Sequence, residues 1–184
     1  MQKFPRVLFC FFCFTVFLIL SFPTWAWTTK PLTLEQMVSL SDRVFQGRVT
    51  DVRYDNDFES GTMVKYITFE VASGDCLKGS CEGSVVVKQL AEGPTTRDIL
   101  AGNSYVVFYP ADSNLGLVAP LGFNQGLLQV DETASRPTLP ALKHNPLFRK
   151  SLLKNSTKSL TGNVADLSTF KARVKQLVDG GAGE

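Results

Sequence analysis

Residues 62–81, TMVKYITFEVASGDCLKGSC, contain the strongest strand pattern in the chain. Alternate residues of its first half share one side, which is almost wholly apolar: Met63, Lys65, Ile67, Phe69 and Val71. β-Branched and aromatic residues with a period of two are typical of a strand that covers a core with one face. The pattern therefore predicts a central strand beginning near residue 62.

The second half of this stretch carries Cys76 and Cys81 on either side of a turn at residues 78–79. The other two cysteines, Cys10 and Cys13, lie in an apolar N-terminal run. Cysteines of exported proteins meet an oxidising compartment and form disulfides by default. Redox catalysts typically use a tighter Cys-x-x-Cys pair beside a helix start. The spacing therefore predicts a structural disulfide.

Residues 1–26 have the pattern of a signal peptide. Lys3 and Arg6 precede an uncharged run over residues 7–22, and Ala26 is a small residue at a suitable cleavage position. The run is shorter than the ~20 apolar residues of a spanning helix, which favours a cleaved leader over an uncleaved anchor. We expect an exported protein, periplasmic or secreted, with no stable membrane span after cleavage.

The charge balance argues against general binding of polyanions. The chain has 19 Lys and Arg against 17 Asp and Glu, and Lys3 and Arg6 belong to the leader. The rest of the chain is neutral overall, whereas proteins that bind nucleic acid or anionic membranes usually carry a basic excess. Residues 136–158 carry only basic charges. We interpret these as solvated, and contact with an anionic surface is the alternative.

Upstream of the central strand, the pattern predicts a helix over residues 31–40 and a long strand over residues 43–55. Thr33 and Gln36 have the spacing of a capping box. The apolar alternation of the strand changes phase near its middle, which predicts a β-bulge, and Gly47 predicts a close backbone approach. A long, bent first strand is typical of a small barrel.

Downstream of the cysteines, the pattern predicts short strands and helices. Residues 105–109, YVVFY, form a strand of the type that is buried on both faces. Asp166 is a suitable N-cap for the closing helix, whose apolar face contains Leu167, Phe170, Val174 and Leu177. The other expected elements are a strand at 84–91 with Val85, Val86 and Val87 buried on alternating sides, a helical turn at 95–101, short strands at 115–119 and 126–130, and a basic helix at 142–153.

This order of elements predicts a mainly β fold. Five or six strands with short turns, and a helical turn before YVVFY, fit a small Greek-key barrel of the OB type. We expect an OB-like barrel with a short N-terminal helix over residues 27–132. A linker and one or two helices over residues 133–184 would pack on it. A β-sandwich with added helices is the alternative.

Four segments resemble a known family in sequence and order: VFQGRVTDVRYD, YITFEVASGDCLKG, AGNSYVVFY and GFNQGLLQVDE. The family is a group of uncharacterised bacterial exported proteins, which look similar to the netrin-like OB domain of the tissue inhibitors of metalloproteinases. The resemblance covers about residues 34–132 and the closing helix. It implies an OB-like fold and export, but no activity.

The metalloproteinase inhibitors act through a cysteine at the mature N-terminus, which reaches the protease zinc. Trp27 stands at the predicted start of this chain, and no cysteine precedes Cys76 in the mature part. That inhibitory mechanism therefore does not carry over. Cys76 and Cys81 also do not reproduce the disulfide framework of those inhibitors.

No residue pattern predicts catalysis or a cofactor. His144 is the single histidine, and its segment offers no nucleophile or orienting carboxylate. Asp55, Asp57 and Glu59 are similar to the start of a calcium loop, but Tyr66 stands where that loop needs a bidentate Glu. We interpret these acids as a solvated hairpin, and we expect no enzyme, no cofactor and no metal site.

The sequence favours a non-enzymatic binding module whose partner is a protein or another envelope component, not a nucleic acid. Loops held by a rigid scaffold often carry function. The candidate contact residues are therefore Asp55, Asp57 and Glu59 in the hairpin and Phe123, Asn124 and Gln125 in a later loop. A protease inhibitor with a mechanism different from that of the metalloproteinase inhibitors is the alternative.

Overall fold

Most of the described chain forms one antiparallel sheet with helices against it. The computed structural model describes residues 30–57, 61–91, 99–133, 135–140, 147, 150–151 and 165–181. The helices include α1 (Leu34–Leu40), the 3₁₀ helix Phe123–Gly126 and α2 (Leu167–Gly181). The strands are β1 (Arg43–Asp57), β2 (Thr62–Val71), β3 (Cys76–Lys78), β4 (Gly83–Leu90), β5 (Ser104–Tyr109), β6 (Leu127–Gln129), β7 (Thr138–Leu139) and β8 (Ala165–Asp166).

The prediction of a mainly β fold is confirmed, although eight strands are described where five or six were predicted. The main sheet has six strands in the order β4-β2-β1-β5-β6, with β3 paired to β1, and β7 and β8 form a separate pair. All of these strand pairs are antiparallel. The described strand pairs do not close the sheet, which ends at β4 and β6. A single parallel bridge joins Lys88 of β4 to Leu117.

β1 is long because it belongs to two parts of the sheet. The residues up to Arg48 pair with β5, and those from Arg48 onward pair with β2. The register with β2 shifts between Val49 and Asp51, which confirms the predicted bulge. An extra residue in one strand bends that strand and increases its twist. Gly47 lies beside this bend, and a Cβ there would come within 3.1 Å of the Cβ of Phe69.

The sheet has a hydrophobic core on each face. The first core lies between the sheet and the helices, and its largest members are Leu34, Met37, Phe108, Leu139 and Phe170. The second core lies on the opposite face, and its largest members are Phe45, Ile67, Phe69, Tyr109 and Leu127. All six residues of β5 are buried. The prediction that YVVFY is buried on both faces is therefore confirmed.

Some local expectations differ from the structure. Val86 is 53% exposed, because only the odd-numbered residues of β4 face the second core. Met63, assigned to the apolar side of β2, is 45% exposed at the start of that strand. Residues 115–119 form no strand, since a turn interrupts them, and they contribute only the parallel bridge to β4. The expected elements at 95–101 and 142–153 lie largely outside the described residues.

α1 begins at Leu34, three residues after the predicted start at residue 31, and α2 begins directly after the predicted N-cap Asp166. The Thr33 hydroxyl accepts the N–H of Gln36 at 3.2 Å, and the Gln36 side chain accepts the N–H of Thr33 at 3.0 Å, which completes the capping box. Asp166 Oδ1 accepts the N–H groups of Ser168 at 2.9 Å and Thr169 at 3.2 Å. In the first turn of each helix, backbone N–H groups therefore donate to a side-chain acceptor, which is the role of an N-cap.

α2 packs on the first core through the predicted face. Leu167, Phe170 and Val174 are buried, and Leu177 is half-buried against the same cluster. None of the described helices has the length and apolar content needed to cross a membrane.

Asp166→Ala should lower the free energy of unfolding by about 1 kcal/mol at pH 7, because an N-cap acceptor is lost. The hydroxyl of Ser168, followed by the two backbone N–H groups, lowers the pKa of Asp166 below its ordinary value. A lowered folded-state pKa means that the carboxylate stabilises fully above about pH 4 and loses its effect as the pH falls through that folded value.

Urea unfolding of the unsubstituted protein and of the alanine variant between pH 7 and pH 2.5 measures this gap. We expect the difference in stability between the two proteins to shrink below about pH 4. Asp166→Asn, which keeps a capping oxygen without the charge, is the matched control and should lose less. A gap that is independent of pH would contradict the capping role of the carboxylate.

Candidate functional site

The predicted disulfide is present, with 5.4 Å between the Cα atoms of Cys76 and Cys81. The bond closes a loop that includes β3, a three-residue strand that the sequence pattern did not predict. β3 pairs with the start of β1 through Val44 and Phe45. Cys81 is buried in the second core, and Cys76 is half-buried beside it. The disulfide therefore ties the turn after β2 to the core.

Lys78 connects this loop to α1. Its Nζ donates to the carbonyl of Val38 at 2.7 Å and to the carbonyl of Ser41 at 2.5 Å. Carbonyls at the C-terminal end of a helix lack intrahelical donors and carry partial negative charge. α1 has no basic residue in its own last turn. A lysine from another element therefore caps the helix.

Gly79 allows the loop to approach the chain just before β1. Its φ is +77°, and a Cβ at this position would lie 2.5 Å from the backbone oxygen of Asp42. Only glycine combines this backbone conformation with so close an approach. The loop is therefore held from within by the disulfide and from outside by its contact with Asp42.

α2 holds the turn that precedes the disulfide. Lys171 Nζ lies 2.6 Å from the carboxylate of Asp75. Lys175 Nζ donates to the carbonyl of Gly74 at 3.4 Å. Both members of the ion pair are partly exposed, so the pair contributes roughly 0–1 kcal/mol. The two helices and the start of β1 thus meet at one corner, residues 74–81, which is called the disulfide corner below.

A shallow depression of 710 Å³ adjoins this corner. Its lining includes Arg43, Ser80 and Glu82 together with Ser84 and Val86 at the start of β4. The side chain of Arg43 is only 16% exposed, and its Nη2 pairs with the carboxylate of Asp112. This polar lining includes part of an exposed strand. The backbone N–H and C=O groups of that strand are suited to contact with the backbone of another polypeptide.

The described lining of the depression combines hydroxyl, carboxylate and guanidinium groups. It contains no histidine, and its two cysteines form the disulfide. Within the described ranges, no group of three or more His, Cys, Asp or Glu side chains could hold a metal ion.

The second core contains a polar contact that the sequence did not reveal. Gln89 Nε2 on β4 donates to the hydroxyl of Tyr109 on β5 at 3.1 Å, although these strands lie apart in the sheet order. Burial raises the pKa of Tyr109 far above its ordinary value, against the smaller opposing effects of Arg43 and of the Gln89 hydrogen bond. Lys65 is the register partner of Gln89 on β2 and is only 3% exposed. Lys65 and Ile67 are alternate residues of β2 and therefore lie on the same side of the strand. This pattern in the sequence indicated that Lys65 is buried.

The later predicted loop, residues 120–125, is here called the Phe123 loop together with Gly126, and its backbone is unusual. Phe123 is half-buried and has φ 59°, and among the described residues it is the only non-glycine with positive φ. Gln125 Oε1 accepts the N–H of Leu32 at 2.9 Å, and its Nε2 donates to the carbonyl of Lys30 at 3.3 Å. Gln125 therefore fixes the segment before α1. Asn124 belongs to the 3₁₀ helix, and its side chain lies outside the described residues.

The acidic hairpin occupies a different place. Asp55 is exposed and pairs with Val64, and Asp57 is the last residue of β1 and pairs with Thr62. Glu59 lies outside the described residues. The hairpin lies at the end of β1, whereas the Phe123 loop contacts the segment before α1. The described contacts therefore place the two predicted loops on separate surfaces.

Comparison of the sequence with protein families and with the curated proteins gives no relative for this chain. No protein-family model matches it, and a search of the curated proteins finds no match.

Gly79→Ala should destabilise the protein more than Gly74→Ala. Both glycines have positive φ, but a Cβ at Gly74 would meet no atom within 4 Å. We expect about 1 kcal/mol of conformational strain for Gly74→Ala, and about 3 kcal/mol for Gly79→Ala, because its Cβ also collides with Asp42. Urea unfolding of the oxidised proteins measures both losses. Equal losses would contradict the close contact between the loop and the chain before β1.

Proposed function

We propose that the protein is an exported, non-enzymatic binding module that contacts a protein or another envelope component through the Phe123 loop. The observation that carries the proposal is the left-handed backbone of Phe123. Such a conformation costs a non-glycine residue of order 1 kcal/mol, and it persists where the surroundings impose it, often at binding sites. Binding of a partner through the aromatic ring would explain why phenylalanine, and not glycine, stands at this strained position.

The surrounding contacts make the loop rigid. The N–H of Leu121 donates to the carbonyl of Phe108 at 3.0 Å, and the N–H of Gly126 donates to the carbonyl of Leu121 at 2.8 Å. A Cβ at Gly126 would lie 2.8 Å from the backbone of Leu121, so the two ends of the loop are packed together. A rigid loop loses little conformational entropy on binding, and aromatic side chains frequently anchor protein interfaces. Phe123 therefore has the properties of an anchor residue.

The proposal includes an OB-like Greek-key barrel over residues 27–132, with the C-terminal part, residues 133–184, packed on it. The strand order and the bulged first strand support this fold. Two contacts bring the edge strand β4 towards later parts of the chain, namely the bridge between Lys88 and Leu117 and the hydrogen bond between Gln89 and Tyr109. α2 supports the packing of the C-terminal part through its contacts with the first core.

Export to the periplasm or to the medium is part of the same proposal. The leader-like residues 1–26 support it, and so does the Cys76–Cys81 disulfide, because such bonds persist in oxidising compartments.

Site-specific photo-crosslinking tests the proposed contact surface. A benzophenone amino acid replaces Phe123 in bacterial cells that export the protein. Leu100 is exposed and lies before the other end of β5, which makes it a matched control position. We expect adducts of defined mass from position 123 and none from position 100. No adduct, or the same adducts from both positions, would count against the Phe123 loop.

A second measurement separates the backbone strain from the side-chain contact. Phe123→Gly relieves the strain, whereas Phe123→Ala keeps it, so the glycine variant should be the more stable by about 1 kcal/mol. Both variants remove the aromatic ring and should lose the partner identified by crosslinking. Retention of that partner by both variants would show that the ring is not the anchor.

Protease inhibition is the alternative, and the disulfide corner gives it a structural basis. Residues 79 and 80 are exposed on a loop held by the disulfide and by Lys78. A rigid exposed loop is a suitable inhibitory element, because its ordering cost is already met. Incubation of the purified protein with metalloproteases and serine proteases tests this alternative. No inhibition at micromolar concentration would remove it.

A further inference from the structure

The register of β4 shows which of its backbone groups face away from the sheet. The N–H of Ala91 donates to the carbonyl of Met63 on β2. In an antiparallel pair, the direction of backbone groups alternates from one residue to the next. The odd-numbered residues of β4 therefore direct their N–H and C=O groups to β2. The even-numbered residues direct theirs to the outer edge, where the carbonyl of Lys88 accepts the N–H of Val118.

The outer edge of β4 is covered over only part of its length. The chain around Leu117 and Val118 covers the edge at Lys88. In the described part of the chain, the outward N–H and C=O groups of Ser84 and Val86 meet no hydrogen-bonding partner. Exposed edge strands with unpaired backbone groups are templates for the addition of another strand. The first half of β4 is therefore an open edge.

The depression beside the disulfide corner lies along this open edge. Ser84 and Val86 form one side of it, and the loop residues Ser80 and Glu82 form part of the rest. Its 710 Å³ lies within the range of ~300–1,000 Å³ that is usual for ligand sites. Val86 is half-exposed there, so an apolar side chain of an added strand could pack against it.

Arg43 determines the charge of the expected occupant. It is the only cationic side chain in the described lining of the depression, and Glu82 is the only acidic one. Its described ion pair engages Nη2 with Asp112. A guanidinium has five N–H donors in a planar fork, and a carboxylate is its best-matched acceptor. An acidic side chain of an added strand would therefore meet Arg43.

We infer that an extended peptide segment with one acidic side chain adds to the edge of β4 at Ser84 and Val86 and directs its carboxylate to Arg43. The bound segment exchanges backbone hydrogen bonds with Ser84 and Val86, while the disulfide corner forms a rigid wall beside it. This surface involves none of the residues of the Phe123 loop. The inference therefore stands or falls separately from the proposed function.

A defined peptide tests this inference by NMR. The probe is an eight-residue peptide of alternating Val and Thr, with blocked ends and Asp at one central Thr position. It is titrated into the oxidised, isotope-labelled protein obtained by export of the full chain. We expect chemical-shift changes at the amides of Ser84 and Val86 and slower exchange of both N–H groups. The same peptide with Lys in place of Asp should bind about tenfold more weakly.

Three variants make the result specific. Arg43→Gln should weaken binding of the Asp peptide about tenfold. Arg53→Gln, an exposed arginine on the same strand, is the matched control and should change the affinity less than about twofold. Val86→Pro removes an N–H that the ladder with β2 does not use, so the NMR fingerprint should stay folded while binding is lost.

Several results would overturn the inference. These are no shift at Ser84 and Val86 at millimolar peptide, equal binding of the Asp and Lys peptides, or unchanged binding by Arg43→Gln. Concentration-dependent shifts at the same two amides without peptide would mean that a second copy of the chain occupies the edge instead.

Discussion

The bend in β1 is the constraint on which the rest of the structure depends. A straight strand of 15 residues could not pair with β5 over its first part and with β2 over the rest, as β1 does. The bulge after Val49 supplies the bend, and Gly47 removes the side chain that would collide with Phe69. Because β1 turns, β4 and β5 come into contact through side chains on the second face. That face is consequently buried, although no described helix lies among its core residues.

The disulfide corner is the second organising feature, and its parts act together. Lys78 caps α1, Gly79 lies against Asp42, and the turn at Asp75 binds α2. The ion pair and the single hydrogen bonds each contribute little, on the order of 1 kcal/mol. Together with the Cys76–Cys81 bond, they fix the wall that flanks the open edge of β4. A rigid wall next to an open edge is a suitable arrangement for binding an extended segment.

Local signals made a large part of the fold predictable. The capping box at Thr33, the N-cap at Asp166 and the phase change after Val49 depend on residues close in sequence, and all three are confirmed. The Cys76–Cys81 disulfide followed from a short spacing and the leader-like start.

Features that depend on distant residues were not predictable in the same way. β3 has three residues and exists because β1 lies beside it. The exposure of Val86 follows from the register of β4 with β2, which a run of three valines cannot reveal.

The side-chain contact between β4 and β5 links the bent strand, the second core and the open edge. It depends on the curvature of the whole sheet, which local hydropathy does not encode.

A double-mutant cycle of Gln89→Leu and Tyr109→Phe, measured by urea unfolding, tests this side-chain contact most directly. Each single change leaves a buried polar group without its partner and should cost about 1–3 kcal/mol. The double change removes both groups, so its cost should be smaller than the sum of the single costs by about 1 kcal/mol or more. Additive costs would contradict the contact and the curvature that produces it.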